Sequence, residues 1–444
     1  MSGNKMGEDI PKRGGERIQT FWVIVGAPLS VVPLLYFIAY FCQFFFFMDE
    51  WELIHKMNSL GYEKWLVEFY GGNFVPVFKL YWSALLFIGG GNYHILIWSG
   101  FILHGVVILL LGRLLQIWSF RLPVVIGSQL IVGLNYTHIE ILSWSTQSSN
   151  LLSYIFYLGL LIVWSELYFS KRSPDLWDIV MIGFLSMLGA LCFPRGVLNG
   201  FSVFVVWILM VIAKDVKWSL LWKPIVAALI PSVTVALTTA IWTYGHSDEF
   251  PQSAGRSDLV LTHFYYHLSL NPWYQQIQGL QISGSLSLVL IQLNILFIGL
   301  GLYLATTRQR WILLILIVFF VTNSFFLSLG RYHLPFSSAA AWRYQYGVLL
   351  VFAPIVMFVL ERALSKIPFR RIRIVITVAI LFWISSWVFN PWSTFLPAWS
   401  ESRGTSVRNL ITSDNLDPGN FDISSFDKVS NERAQELAEL YQLH

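Results

Sequence analysis

Long apolar segments separated by short polar loops run through most of the chain. The first, Thr20 to Phe47, would be about 42 Å long as a helix, which is too long for the core of a cleavable signal peptide. We therefore expect an uncleaved first span that follows a cytoplasmic tail. Ten more segments follow, so the pattern predicts an all-α integral membrane protein with about 11 transmembrane helices. The later spans are predicted at Tyr93–Trp118, Leu122–Asn135, Leu151–Phe169, Ile179–Phe193, Val197–Ala213, Pro224–Tyr244, Ser285–Ala305, Trp311–Leu329, Tyr344–Leu360 and Ile374–Asn390.

Two further helices are predicted on the membrane surface, in a first outer loop at residues 48–92. The stretch Trp51–Tyr70 mixes apolar and charged residues in an amphipathic pattern. The apolar stretch Phe74–Ile88 is short and contains Lys79. Treating it as a surface helix leaves the basic loops that follow on the cytoplasmic side, as the positive-inside rule requires. If it spanned the membrane, every later orientation would be reversed.

This topology divides the chain into three parts. A cytoplasmic tail, residues 1–19, precedes a polytopic domain at 20–390, which contains the first outer loop and a long outer loop at 245–284. An extracytoplasmic segment, 391–444, ends the chain. Most of the 29 Lys and Arg residues lie inside and most of the 25 Asp and Glu residues lie outside, as insertion requires. Near the C-terminus, Asn431–Leu443 predicts a short amphipathic helix with one apolar side, formed by Ala434, Leu437, Leu440 and Tyr441.

Composition agrees with a membrane protein. The chain is 56% hydrophobic and 12% charged, whereas globular proteins are roughly 25% charged. A net charge of +4 gives no footprint of nucleic-acid binding, so the lipid bilayer is the expected environment. Both cysteines, Cys42 and Cys192, lie in apolar segments and are expected to be unpaired core residues. His104 lies in the middle of a span, where a hydrogen bond between helices is expected.

Candidate chemistry begins where the first span ends, at Asp49, Glu50 and Glu52. Carboxylates at the edge of a membrane are costly unless they serve a purpose, although capping a span is the simpler alternative. Other polar residues are predicted on the same outer face: Lys79, His138, Glu140, Trp144, Arg195, His263, His267, Arg331, Arg343 and Tyr344. The two histidines at 263 and 267 lack a third ligand that would define a metal site. Because an outer site has no nucleotide sugar, an activated donor would arrive as a lipid phosphate.

Several short motifs resemble the bacterial GT-C-fold glycosyltransferases, the polytopic enzymes related to protein O-mannosyltransferases and lipid A aminoarabinose transferase. They are the acidic residues after the first span, the N-F-V-P-V-F-K stretch ending at Lys79, His138-x-Glu140, Phe-Pro-Arg195-Gly and Arg343-Tyr344. The resemblance implies an enzyme of the bacterial inner or plasma membrane. It would transfer a sugar from a polyprenyl-phosphate donor, with inversion, on the extracytoplasmic side.

The resemblance also implies roles for the outer residues. A carboxylate in the first outer loop is the base, which assigns Asp49, with Glu50 as the second member; the choice between the two stays open. Cations would hold the leaving phosphate, and the candidates are Lys79, Arg195, Arg331 and Arg343, with Tyr344 beside them. His138, Glu140 and Trp144 would orient the acceptor, which could be a glycan, a lipid or a protein. A divalent cation is a candidate cofactor, because His138 and Glu140 could hold one together with Asp49.

Two other classes of function fit parts of the sequence. A transporter or flippase of lipid-linked glycans would favour charged or Gly/Pro-broken residues at mid-membrane rather than at one face. A glycan ligase or polymerase would depend on the arginines and histidines of the outer loops, and the acidic cluster would then be structural. Dependence of the activity on Asp49 separates the glycosyltransferase from both.

Overall fold

The computed structural model describes residues 13–47, 49–245, 256–273, 283–332, 342–368, 392–405, 407 and 431–443. These residues are almost entirely helical and contain no strand beyond one isolated bridge between Tyr70 and Asn73. The α-helices are α1 (Arg13–Val31), α2 (Ile38–Phe41), α3 (Asp49–Leu60), α4 (Tyr62–Val67), α5 (Pro76–Ile88), α6 (Tyr93–Ile117), α7 (Leu122–Leu134), α8 (Ile139–Ser143), α9 (Ser148–Ser170), α10 (Leu176–Cys192), α11 (Leu198–Ile212), α12 (Trp218–Gly245), α13 (Ser257–Leu270), α14 (Gly284–Leu304), α15 (Thr307–Arg331), α16 (Trp342–Ser365), α17 (392–400) and α18 (Asn431–Leu440). Short 3₁₀ turns occupy Val32–Phe37, Tyr136–His138, Ser145–Gln147, Pro194–Val197 and Asn271–Trp273, and a π-helical turn covers Glu401–Thr405.

The predicted class, an all-α multi-pass integral membrane protein, is confirmed. Among the described residues, eight helices are long and apolar enough to cross a membrane, and nine if a bent pair forms one span. That pair joins Leu122–Leu134 to Tyr136–Ser143 at 47°. The bend follows from Asn135, whose side-chain Oδ1 accepts hydrogen bonds from the Thr137 amide at 3.0 Å and the Thr137 hydroxyl at 2.6 Å, which starts a new turn. Helix α10 is apolar but shorter, and the predicted span Ile374–Asn390 lies outside the described residues.

Side-chain contacts between helix ends show which ends lie together at each of the two faces of the helical bundle. The Gln116 amide at the end of α6 donates to the Thr20 hydroxyl in α1 at 3.0 Å. At the same face, Arg121 before α7 forms an ion pair of 2.6 Å with Glu361 near the end of α16. Gln309 in the first turn of α15 donates to the Ser119 carbonyl at 3.1 Å. This face carries the ends predicted to be cytoplasmic, and the acidic start of α3 lies at the other.

The second face is covered by a layer with its own aromatic core. Phe44, Phe45 and Phe46 are buried here, so the phenylalanine run packs inside the protein. Tryptophans 51, 65 and 82 are fully buried in the same core. Helix α5 belongs to this layer; its 13 residues extend about 20 Å, short of the roughly 30 Å of bilayer hydrocarbon. Its placement on the membrane surface stays a prediction.

The C-terminal segment closes this layer. Trp392 at the start of α17 is buried and donates to the Leu134 carbonyl at 3.0 Å. In α18, Ala434 and Leu437 are buried against α3, as predicted. Leu440, in contrast, is 59% exposed, so its placement on the apolar side was wrong. Ala438 completes that side, because it lies about 40° from Ala434 around the helix, whereas Leu440 lies about 120° from Ala434.

The range predicted as the long outer loop contains a partly buried helix, α13, which packs against α14 and α15. His263 and His267 on this helix are both inaccessible to solvent. His104 bridges helices as predicted, with Nδ1 2.8 Å from the Tyr346 hydroxyl and Nε2 3.0 Å from the Gly133 carbonyl. The buried histidines therefore belong to the packing between helices.

Candidate functional site

Asp49 opens α3 at the second face, directly after the buried phenylalanines. This is the face predicted to be extracytoplasmic, and we call it the outer face. Its side chain is half-buried, and burial raises the pKa of its carboxyl above the ordinary value. A hydrogen bond with Tyr70 and the charges of Arg343 and Arg331 act in the opposite direction on the pKa. The cations at the ends of α15 and α16 therefore act on the carboxyl group at the start of α3.

Glu50, the next residue, points into the protein and is fully buried. One oxygen accepts from the Ser145 amide at 2.8 Å and also from the Ser145 hydroxyl, and the other accepts from the Phe47 amide at 2.6 Å. The Tyr93 hydroxyl donates to the same carboxyl at 3.0 Å. Burial raises the pKa of Glu50 to about 7, and these donors partly offset the effect of burial. Glu50 thus ties α3 to the starts of α6 and α9.

A second carboxylate, Glu140 in α8, is buried and holds Arg343. Its Oε1 lies 2.9 Å from the Arg343 guanidinium, and its Oε2 accepts from the Arg343 backbone amide at 2.9 Å. Two contacts to one residue fix the first turn of α16 beside α8. The guanidinium also lies 5.3 Å from the ring of Tyr344, and the ion pair leaves it 29% exposed. Glu140 therefore positions a partly accessible cation near Asp49.

A third cation, Arg403, was missed by sequence reasoning. It lies in the π-helical turn after α17, with its guanidinium 3.7 Å from the ring of Trp399, 4.9 Å from that of Phe47 and 5.8 Å from that of Trp144. Burial lowers the pKa of Arg403, whereas the Glu140 carboxylate raises it. Its Nη1 is buried without a hydrogen-bond partner among the described residues. The sequence does contain a signal for the helix that precedes Arg403, because Trp392, Phe395, Leu396 and Trp399 have the spacing of one apolar helix face.

The approach of Arg403 requires a glycine next to it. A Cβ at Gly404 would collide with the backbone of Gln43 and Phe44. Ser400, the last residue of α17, donates its hydroxyl to the Gln43 side chain at 3.0 Å. The C-terminal segment is therefore fastened to the end of the first span, and Arg403 is held over Trp144.

The remaining predicted cations are placed differently. Arg331 ends α15 and is exposed, within electrostatic range of Asp49. Arg195 is buried and donates to the Tyr154 hydroxyl, with Tyr344 close enough to interact. Lys79 is buried in α5, where its ammonium donates to the carbonyls of Trp65 and Glu68 at 2.6 Å each, and burial lowers its pKa to about 8. Arg195 thus lies deeper than Arg343, and Lys79 holds the end of α4.

His138 and Glu140 point in different directions. His138 Nε2 lies 2.6 Å from the Val132 carbonyl, and its ring packs 4.5 Å from Tyr346 and 5.3 Å from His104. Glu140 turns towards Arg343 instead. Trp144 is buried next to Phe47, with ring centres 6.3 Å apart. Within the part of the chain that is described, no group of three or more His, Cys, Asp or Glu side chains could hold a metal ion.

Taken together, the outer face carries the half-buried carboxylate of Asp49, on which the charges of Arg331 and Arg343 act, and Arg403, on which the charge of Glu140 acts. A carboxylate with a raised pKa can accept a proton near neutral pH, and guanidinium groups bind and stabilise phosphate oxygens. Aromatic side chains, Phe47, Trp144 and Trp399, line the same place. This combination suits a group transfer in which a phosphate leaves.

No protein-family model matches the chain, and no curated protein matches it significantly in sequence. Among solved structures, the chain is similar to the oligosaccharyltransferase of Archaeoglobus fulgidus in its apo form, with 12% identity, a TM-score of 0.48 and coverage of 98% of this chain and 60% of that one. It is also similar to the archaeal oligosaccharyltransferase AglB from Archaeoglobus fulgidus in complex with an inhibitory peptide and a dolichol-phosphate, with 13% identity, a TM-score of 0.45 and coverage of 98% and 60%. The chain therefore spans about 60% of the length of these proteins.

Proposed function

We propose that this protein is a membrane glycosyltransferase that moves a sugar from a polyprenyl-phosphate donor to an acceptor hydroxyl, with inversion, on the extracytoplasmic side. The observation that carries the proposal is the placement of Asp49, which is half-buried at the outer end of the first span and within reach of Arg331 and Arg343. A donor that arrives in the bilayer would present its phosphate at this level.

The orientation follows from the charges of the two faces. The face opposite Asp49 carries basic residues in its short loops, including Arg113, Arg121 and Arg308. Positive residues in short loops are retained in the cytoplasm during insertion. Asp49 and its arginines then face the periplasm or cell exterior, where nucleotide sugars are absent and a lipid-linked donor is required.

Asp49 is proposed as the base. In a single displacement, the acceptor oxygen forms a bond to the anomeric carbon while its proton moves to the Asp49 carboxylate. The bond between that carbon and the phosphate oxygen breaks, and polyprenyl phosphate leaves with the electron pair. Attack from the face opposite the leaving group inverts the anomeric centre. Glu50 is proposed to position α3, because its oxygens already accept hydrogen bonds from Phe47, Tyr93 and Ser145.

The arginines are proposed to hold the leaving phosphate. Arg343 is partly accessible and fixed by Glu140, and Arg403 has a buried donor to spare. Charge-assisted hydrogen bonds from guanidinium groups strengthen as the phosphate gains charge in the transition state. Arg331 adds to the positive field, and the buried Arg195 contributes a further positive charge next to Tyr344.

Donor consumption by the purified protein in detergent tests the proposal. We expect release of polyprenyl phosphate from at least one member of a panel of polyprenyl-phosphate hexoses and pentoses, and no consumption of the matching nucleotide sugars. Use of a nucleotide sugar would contradict the outer site. If the protein binds none of the lipid phosphates, the transporter is favoured. Transport can then be measured in proteoliposomes loaded with a lipid-linked glycan.

A further inference from the structure

A buried polar tract, residues 143–150, connects α8 to the first turn of α9. All eight side chains are at most 8% exposed. Five of their polar atoms have no hydrogen-bond partner among the described residues: Ser143 Oγ, Trp144 Nε1, Thr146 Oγ1, Ser148 Oγ and Asn150 Oδ1. Unpartnered buried polar atoms destabilise a protein and are normally rare. Five within eight consecutive residues point to a ligand that satisfies them when it is bound.

The tract lies against the catalytic face. Ser145, in its middle, donates its backbone amide to Glu50 at 2.8 Å, so the tract is adjacent to the start of α3. Trp144 packs beside Phe47, and its ring lies 5.8 Å from the Arg403 guanidinium. A ligand in contact with these atoms would therefore reach both the proposed base and the proposed phosphate-binding cations.

The unpartnered atoms define the chemistry of that ligand. Trp144 Nε1 can only donate a hydrogen bond. The amide nitrogen of Asn150 donates to the Gln147 side chain at 2.6 Å, so the unpartnered atom of that amide is its carbonyl oxygen, Oδ1, which can only accept. A phosphate cannot donate to Asn150, and an ammonium group cannot accept from Trp144. The three free hydroxyls can act in either way, and none of the five groups carries a charge. A neutral ligand with several hydroxyl groups matches this set.

We propose that the five unpartnered groups within residues 143–150 bind the sugar of the lipid-phosphate donor through its hydroxyl groups and determine which sugar is transferred. The inference rests on the proposed function and assigns the sugar subsite within it. Thr146 and Asn150 are four residues apart and lie on one side of the helix start. Tyr154 is four residues beyond Asn150, and its hydroxyl already accepts a hydrogen bond from Arg195. The unpartnered groups of the tract therefore end before Tyr154.

The subsite is tested with two isosteric changes, Thr146→Val and Ser148→Ala, combined in one variant of the full chain. Ser149→Ala is the matched control, because the Ser149 hydroxyl already donates to the Thr146 carbonyl at 2.7 Å. Equilibrium binding is measured for polyprenyl phosphate alone and for the panel of polyprenyl-phosphate sugars. The thermal midpoint is measured without any ligand.

We expect the double variant to bind its preferred sugar-bearing lipid about tenfold more weakly, since two hydrogen bonds to the ligand are lost. Its affinity for bare polyprenyl phosphate should stay within about twofold of the parent value, because the phosphate is held by other residues. Its midpoint without ligand should equal or exceed that of the parent, since unpartnered hydroxyls are removed from the interior. Ser149→Ala should leave the preference for the sugar unchanged.

Three results would overturn the inference. Equal weakening for both lipids, or for neither, would show that the tract does not contact the sugar. A parent protein that binds polyprenyl phosphate but prefers none of its glycosylated forms would remove the subsite and leave the proposed chemistry standing. A parent protein that binds no lipid phosphate would remove both proposals together.

Discussion

Replacing Asp49 with asparagine removes the proposed base and changes little else. The two side chains have nearly the same size, and the amide can keep a hydrogen bond with Tyr70. Because burial raises the pKa of Asp49, its charged form is less favourable in the folded than in the unfolded protein. The Asp49→Asn variant should therefore fold with an unchanged or slightly higher thermal midpoint, so a loss of activity can be attributed to chemistry.

The size of that loss follows from the neighbouring carboxylates. A positioned general base contributes roughly 10²–10⁴-fold to the rate. Glu50 cannot replace it, because it is fully buried and both of its oxygens accept hydrogen bonds. Glu52 is engaged with Lys56 at 2.7 Å. With no substitute at hand, we expect the upper part of that range, about 10³-fold or more in kcat.

The KM for the donor should behave differently from kcat. Removing the negative charge leaves Arg331 and Arg343 less compensated, so a donor phosphate should bind equally well or more tightly. Single-turnover release of polyprenyl phosphate together with donor titrations separates the two constants. The control is Glu52→Gln, which breaks an exposed ion pair and should keep kcat within about twofold. Normal kcat with a raised KM in Asp49→Asn would refute Asp49 as the base. In the parent, the acidic limb of the rate profile should lie above pH 3.8, the ordinary pKa of an aspartate, because Asp49 must be ionised to accept a proton.

Three further outcomes follow from the same contacts. Arg343→Gln leaves buried Glu140 without its cation and should destabilise the protein by about 3 kcal/mol. Adding Glu140→Gln should restore part of the lost thermal midpoint, and strictly additive losses in the double variant would contradict the pairing. Arg403→Met keeps a side chain of similar length against the aromatic rings but removes the charge, so the KM for the donor should rise about tenfold. The control Arg433→Met, in α18, should leave the KM unchanged, and equal effects of the two changes would refute a phosphate-binding role for Arg403. The folded protein keeps a proton on Glu50 up to about pH 7, whereas the unfolded carboxyl ionises near 4.5. Because the unfolded state loses this proton first, the free energy of unfolding should fall by about 3 kcal/mol as the pH rises from about 4.5 to 7, and should level off above 7. Glu50→Gln should lack this fall in thermal scans over that range, and the same pH dependence in both proteins would contradict it.

The apolar pattern was sufficient to predict most of the membrane domain. Segment length separates a helix such as Tyr93–Ile117, which is long enough to cross a membrane, from the shorter apolar helix Pro76–Ile88, which was predicted to lie on the surface. The same pattern missed helix 392–400, because its apolar residues form a short segment interrupted by Ser, Thr and Pro. It also gave no sign that α13 would be partly buried, since burial there comes from packing against α14 and α15 rather than from hydrophobicity.

For the site, the residue types were easier to predict than their partners. Glu140 and Arg343 are separated by 203 residues, and no local signal shows that the starts of their helices meet. The divergence of His138 and Glu140 could have been expected, because residues two apart on a helix point about 200° from one another. Lys79 illustrates the reverse problem: a lone lysine in an apolar stretch is equally compatible with a phosphate ligand and with a bond to backbone carbonyls, and only the fold places Trp65 and Glu68 beside it.

The fastening of the C-terminal segment onto the first span has a consequence for how the protein is made. The partners of Gln43 and Leu134 are Ser400 and Trp392, which leave the ribosome hundreds of residues later. Until then, the phenylalanines that precede Asp49 lack the surface that covers them, and Trp144 lacks Arg403 above it. Contacts between such distant parts of a chain form late in folding. A partly synthesised molecule can thus insert its long helices before residues 392–405 complete the aromatic layer beside the first span.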